Sequence, residues 1–206
     1  METLFFFIVF IFSAVIHEVS HGYAAKALGD DTAEKAGRLT LNPLVHLDPF
    51  GSVVLPFVFY LISKLSGGAG LIFGWAKPVP YNPYNLKDPK KGGLLIALAG
   101  PLSNIFVAFS LSVFLRLGVF GPGSILANFF AVIILINLML AVFNLMPIPP
   151  LDGSKILFGL LPQRFFYIEE FLERNSMIIF LLFFLWGLPL VSFVVFGLFS
   201  VFTGGL

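Results

Sequence analysis

Long apolar runs separated by short polar stretches set the pattern of this chain. Four segments reach the roughly 20 apolar residues that a helix needs to cross a hydrocarbon core about 30 Å thick. They are roughly 4–28, 93–118, 125–146 and 176–203. A fifth, roughly 50–66 (FGSVVLPFVFYLISKLS), is short for a full crossing and carries Pro56, so it reads as a short membrane helix or a re-entrant segment. The longest polar stretches are 29–49 and 77–92. The second, KPVPYNPYNLKDPKKG, is rich in Pro and Asn and favours extended and turn conformations over helix. The pattern predicts an all-α polytopic membrane protein with about four full transmembrane helices plus the short segment.

Composition narrows the reading. Apolar residues make up 58% of the 206, with 27 Phe and only 11% charged residues, which excludes a soluble globule. The net charge of +1 gives no basic excess for nucleic acid. With no cysteine, any metal must be held by nitrogen and oxygen. The first apolar segment lacks a basic n-region and an A-x-A-like cleavage site, so it is expected to be a retained helix. No polar stretch has the size of a soluble module, and a single membrane-embedded domain over 1–206 is expected.

Inside the first apolar segment sit His17, Glu18 and His21, in SAVIHEVSHGYAAKALGD (13–30). Positions i and i+4 of a helix share a face, so both imidazoles can aim at one ion while Glu18, one step around, reaches a water bound to it. That is the arrangement of a zinc hydrolase. A charge near the centre of a membrane helix costs roughly 2.5–3.5 kcal/mol on insertion scales, so such groups mark functional sites. The plainer alternative is polar glue between helices. Ser13, Ala14, Ala24 and Ala25 lie around the histidines; small residues let partner helices approach and point the pair into a bundle.

Catalytic zinc takes three protein ligands and a water, so a third donor is required. His46 in NPLVHLDPFG is the one remaining histidine, and Asp48 lies beside it. Asp152 lies in NLMPIPPLDG (144–153), where Pro147, Pro149 and Pro150 stop the 125–146 helix. PLDG could equally be an ordinary surface turn.

HEVSH at 17–21 followed by NLMPIPPLDG at 144–153 resembles the paired signatures of the site-2 proteases, intramembrane zinc metalloproteases that cut transmembrane helices of regulatory proteins. GRLTLNPLVHLDPFG (37–51), GWAKPVPYNPYNL (74–86) and AGPLSN (99–104) also look like stretches of the compact bacterial and archaeal members. The resemblance implies one zinc per chain on His17, His21 and Asp152, with Glu18 as general base. It implies that Asn144 positions substrate or stabilises the oxyanion, and gives Asn104 a supporting role. It further implies a transmembrane-helix protein as substrate, a catalytic core over about 4–160 followed by a C-terminal helix, and a multi-pass protein of a prokaryotic cell membrane.

If His17, His21 and Asp152 share one ion, the ends of helices 4–28 and 125–146 lie on one side of the membrane. The 93–118 helix, in a hairpin with 125–146, must start there too. The intervening chain then crosses an even number of times, with 50–66 going in and the non-helical GLIFGWAKPVPY returning. That topology puts Lys26, Lys35, Arg38, Lys77, Lys87, Lys90, Lys91, Lys155, Arg164 and Arg174 on the active-site side and only Lys64 and Arg116 opposite. Ten against two places the active site towards the cytoplasm and the N-terminus outside.

A substrate helix must unwind before attack, and a small extended or β-like element near the active site, from 74–82 or 37–47, could hold the unwound segment by main-chain bonding. Two rivals stand beside this reading. Prenyl-protein proteases also carry HExxH, but with a later Glu ligand, and Glu169, Glu170 and Glu173 sit here in a soluble-looking run. A metal-binding transporter or non-catalytic scaffold could use the histidine pair without a general base.

Overall fold

The computed structural model describes residues 2–48, 54, 58, 61, 77–121 and 123–205. Apart from Val54, Val58 and Leu61, the short segment expected over 50–66 lies outside these residues, as does most of the expected return. The described chain is helical: α1 (Glu2–Ala27), α2 (Thr32–Lys35), α3 (Pro89–Arg116), α4 (Ile125–Asn144), α5 (Asp152–Leu160), α6 (Phe166–Arg174), α7 (Ser176–Trp186) and α8 (Leu188–Thr203). Short 3-10 turns occupy Pro43–His46, Pro83–Asn85 and Gln163–Phe165.

Local chemistry explains the ends that matter for the site. Asp88 caps α3 by accepting from the N–H groups of Lys90 and Lys91, and Pro89 opens the helix where its missing N–H costs nothing. The Ser124 side chain caps α4 by accepting from Leu126 N–H. After α1 the chain turns at Gly29, whose φ of +103° is a conformation that side-chain-bearing residues avoid.

At the centre lies α3, which packs against α1, α4, α5 and α8. Ala108, Ile134, Leu138, Val142, Val191 and Val195 form the core where α3, α4 and α8 meet. Outward, Phe6, Phe12, Phe106, Phe109, Phe193 and Phe196 are exposed, as expected of surfaces that lipid covers. Of the four expected spans, α1, α3 and α4 are long and apolar enough to cross a membrane as single helices. The last, expected as one helix over 176–203, is two helices bent by 62°. Pro189 sits in the first turn of α8, where it lacks the N–H that would continue α7 and its ring crowds the preceding turn. The 154–175 stretch is likewise divided between α5 and α6, with Pro162 at the break.

The expected extended element takes the form of an arm, residues 77–82. No strand occurs among the described residues, and Leu47 forms a single bridge. Lys77 and Val79 each precede a proline, which excludes helical backbone and keeps the arm extended. Its N–H groups are few, because Pro78 and Pro80 have none. Those of Lys77, Val79 and Asn82 go to His46 O (2.8 Å), Glu18 Oε2 (2.9 Å) and Asp30 Oδ2 (2.7 Å). The arm therefore offers carbonyl acceptors more than a two-way ladder edge. The Lys77 to His46 bond also joins the described segments that end at 48 and begin at 77.

Candidate metal centre

Two helices deliver three donor atoms to one point. His17 and His21 project from the C-terminal half of α1, and Asp152 opens α5 just beyond the end of α4. Asp152 Oδ2 lies 3.0 Å from His17 Nε2 and 3.1 Å from His21 Nε2. Ligand atoms of these three residues all lie within 4.8 Å of one another, and this is the His/Asp/Glu cluster of that kind among the described residues. The segment 145–151 makes the delivery possible. Proline ends α4, and the chain turns through Leu151 into α5. Gly153 is buried in that first turn, where a Cβ would overlap the carbonyls of Leu145 and Met146. PLDG is thus a close backbone packing point and not a surface turn.

The other ring nitrogens fix what faces the centre. His21 Nδ1 is 2.6 Å from the Ile96 carbonyl, an acceptor, so Nδ1 carries the proton and donates. His17 Nδ1 is 2.7 Å from Asn104 Oδ1. Asn104 Nδ2 donates to Ser13 O (3.1 Å) and to Asn137 Oδ1 (2.9 Å), which leaves Oδ1 to accept from His17. Asn137 Nδ2 donates in turn to Ser13 Oγ (3.0 Å) and Ile133 O (2.9 Å). Asn104 and Asn137 are fully buried, and this chain of bonds across α1, α3 and α4 leaves their amides satisfied inside the bundle.

A neutral ring protonated at Nδ1 presents its Nε2 lone pair, so in that form two Nε2 atoms and a carboxylate oxygen face one point. Such a cluster is repulsive unless a cation sits in it. Two imidazoles and one carboxylate form a donor set that zinc takes at catalytic sites, with a position left for water. Space is reserved for it: a Cβ on Gly100 of α3 would lie 2.5 Å from His21 Nε2 and 2.6 Å from His17 Nε2.

A cavity of about 150 Å³ opens on this centre, bordered by Glu18, Val79, Tyr81, Asn144 and Lys155 as well as the three donors. Asn144, the last residue of α4, donates from Nδ2 to Leu140 O at 2.9 Å and keeps its second amide hydrogen. At the rim the Lys155 ammonium stands 5.6 Å from the centre of the Tyr81 ring, within cation–π range.

Of the third-ligand candidates, only Asp152 joins the histidines. His46 is fully buried elsewhere, with its Nε2 2.9 Å from Thr40 O and its own carbonyl bonded to the arm; neither it nor Asp48 belongs to the converging set. Asn137 and Asp30 are two further buried polar residues beyond those singled out in the sequence. An Asn midway along the mostly apolar α4 was a readable signal for the first. Asp30, in GDDT, reads as a turn and carried none.

Comparison with known proteins bears on the whole arrangement. Residues 121–187 match the profile of peptidase family M50. The chain is 41% identical over 196 residues to YwhC of Bacillus subtilis (strain 168), provisionally named a zinc metalloprotease, and the match spans 91% of this chain and 82% of that protein. It is 30% identical over 149 residues to Rip2 of Mycolicibacterium smegmatis and 28% identical over 167 residues to the zinc metalloprotease MJ0392 of Methanocaldococcus jannaschii. Those matches span 69% and 80% of this chain, but 52% and 36% of the relatives. No solved structure matches at comparable stringency. The chain belongs to peptidase family M50, the site-2 protease-like family.

Proposed function

We propose that the protein is a zinc-dependent intramembrane endopeptidase that cuts transmembrane segments of other membrane proteins, with one zinc per chain on His17, His21 and Asp152. The observation that carries this reading is the convergence of His17 Nε2, His21 Nε2 and an Asp152 carboxylate oxygen, the two histidines on a helix long enough to span a membrane, beside a Glu18 carboxylate that stands outside the set.

When bound, zinc supplies a water of lowered pKa and a polarised carbonyl. Glu18 takes a proton from the attacking water and hands it to the leaving amide nitrogen, while the Val79 N–H holds one of its oxygens in place. Asn144 donates its free amide hydrogen to the carbonyl oxygen as charge develops there. The bond from His17 to Asn104 keeps the imidazole in the tautomer that presents Nε2. Asn104→Leu leaves that Nδ1–H and the Asn137 Oδ1 without a partner. It should weaken zinc binding by about 10- to 100-fold, read by competition with a chromogenic chelator. Unchanged affinity would remove Asn104 from the site's support.

The substrate partner is a membrane-spanning protein and the lipid bilayer is the medium; nucleic acid has no part. We place the active site towards the cytoplasm and the N-terminus outside, on the ten-to-two distribution of Lys and Arg. Reporter fusions after residues 30 and 120 should report inside and outside respectively. The reverse result, or both on one side, rejects the topology.

A further inference from the structure

Two polar stretches, 29–46 and 77–86, pack on α1 at Gly22, and they are tied to each other. Asp30, just past the end of α1, is fully buried. Its Oδ1 accepts from Thr32 N (3.2 Å), Thr32 Oγ1 (2.5 Å) and Asn85 Nδ2 (2.6 Å), and its Oδ2 accepts from Asn82 N (2.7 Å). Burial pushes the Asp30 carboxyl up, but these bonds outweigh it and hold the group below the ordinary carboxylate value.

Asn82 is the end of the arm that crosses Glu18. Lys77 N–H to His46 O fastens the other end. In the middle, the Val79 side chain rests on α1 at Gly22, where a Cβ would come within 2.9 Å of Val79 Cγ1 and 2.5 Å of Leu39 Cδ2. Prolines on both sides of Val79 make the arm stiff, so a displacement at Asn82 is passed on to the Val79 N–H and not absorbed between them.

We propose that Asp30 is a positioning residue for the general base: by clasping Asn82 and Asn85 it holds the arm so that the Val79 N–H fixes one oxygen of Glu18 and leaves the other for the reacting water. The proposal rests on the protease reading of Glu18. It gives 29–46 and 77–86 a shared task, as the two jaws of a clasp around α1.

The test uses the full-length protein and its lack of native cysteine. Asp30→Ala should lower kcat on a single-span substrate by on the order of 10- to 100-fold, part of what a positioned base contributes, with KM and zinc content unchanged. Asp30→Asn should behave like Asp30→Ala, because one amide oxygen cannot accept on both sides: whichever of Asn82 N–H or the Thr32 and Asn85 donors faces Nδ2 is met donor to donor. Asp31→Ala, which removes only a pairing with Lys35, should leave kcat as in wild type. A Val79→Cys reporter should be protected from a thiol reagent and lose that protection when Asp30→Ala is added. Val79→Pro removes the N–H and leaves Asp30 untouched; it should reproduce the kcat loss, and it decides the matter if Asp30 variants do not accumulate.

Persistent protection of the Val79→Cys reporter in the Asp30→Ala background overturns the clasp. Lost protection with wild-type kcat, or wild-type kcat in Val79→Pro, overturns the positioning of Glu18. If the wild type itself cleaves no membrane substrate, the protease reading fails, and the labelling result still judges the clasp by itself.

Discussion

Glu18→Gln should abolish cleavage of single-span membrane substrates while the purified protein retains as much zinc as wild type. Gln has the shape of Glu and can still accept the Val79 N–H at its oxygen, so the arm and α1 keep their places. What changes is the other atom, which becomes an amide nitrogen and cannot receive a proton. A positioned base contributes about 10²- to 10⁴-fold, and the loss should reach that range. The metal should stay because His17, His21 and Asp152 make up the converging set and Glu18 is outside it. This separation of metal from activity also discriminates the rival classes. A transporter or scaffold using the histidine pair has no need of a base, so wild type and variant would then bind zinc alike and cleave nothing alike. The measurement is a panel of single-span substrates incubated with both proteins, with zinc quantified in each; cleavage by the variant at wild-type rate would remove Glu18 from the chemistry.

How much of this was legible in the sequence depended on whether a feature was local. The spacing of His17 and His21 is a property of one helix turn, and it survives in the structure as two Nε2 atoms on one face. The apolar runs gave α1, α3 and α4 for the same reason. The break at Gly187 to Pro189 was visible too, but hydropathy averaged over the run carries no information on where an N–H is missing. Asp152 was harder. PLDG is locally a turn, and what makes it a site is that Gly153 lets α5 pack onto the carbonyls ending α4, a contact no window of sequence contains. Asn137 and Asp30 lie further still along that scale. Each is defined by its partners: Ser13 and Asn104 for the one, Asn82 and Asn85 for the other. These are separated by 33 to 124 positions in the first case and 52 to 55 in the second. Folding creates such sites by bringing distant polar residues together where neither water nor lipid can satisfy them.

Gly100→Ala should remove zinc altogether at concentrations that saturate wild type, and activity with it. The added methyl would lie 2.5 Å from His21 Nε2 and 2.6 Å from both His17 Nε2 and His21 Cε1, well inside van der Waals contact. Neither ring can simply swing aside. His21 Nδ1 is held at the Ile96 carbonyl on the same helix as Gly100, and His17 Nδ1 is held at Asn104 one turn further along it. Moving α3 as a whole is no easier, because it is packed on four other helices. Overfilling a packed site of this kind costs typically about 1–3 kcal/mol, which the bundle can bear, so the protein should still accumulate and keep its helical content. The strain falls on the two nitrogens that must meet the ion, where displacement of supporting groups alone is worth about 10- to 100-fold in affinity and direct obstruction should exceed it. Zinc content after dialysis, beside circular dichroism of the same sample, reads both halves of the expectation. Full zinc occupancy in a folded Gly100→Ala protein would mean that the imidazoles do not present Nε2 to the ion beside this glycine, and the ligand assignment would have to be redrawn.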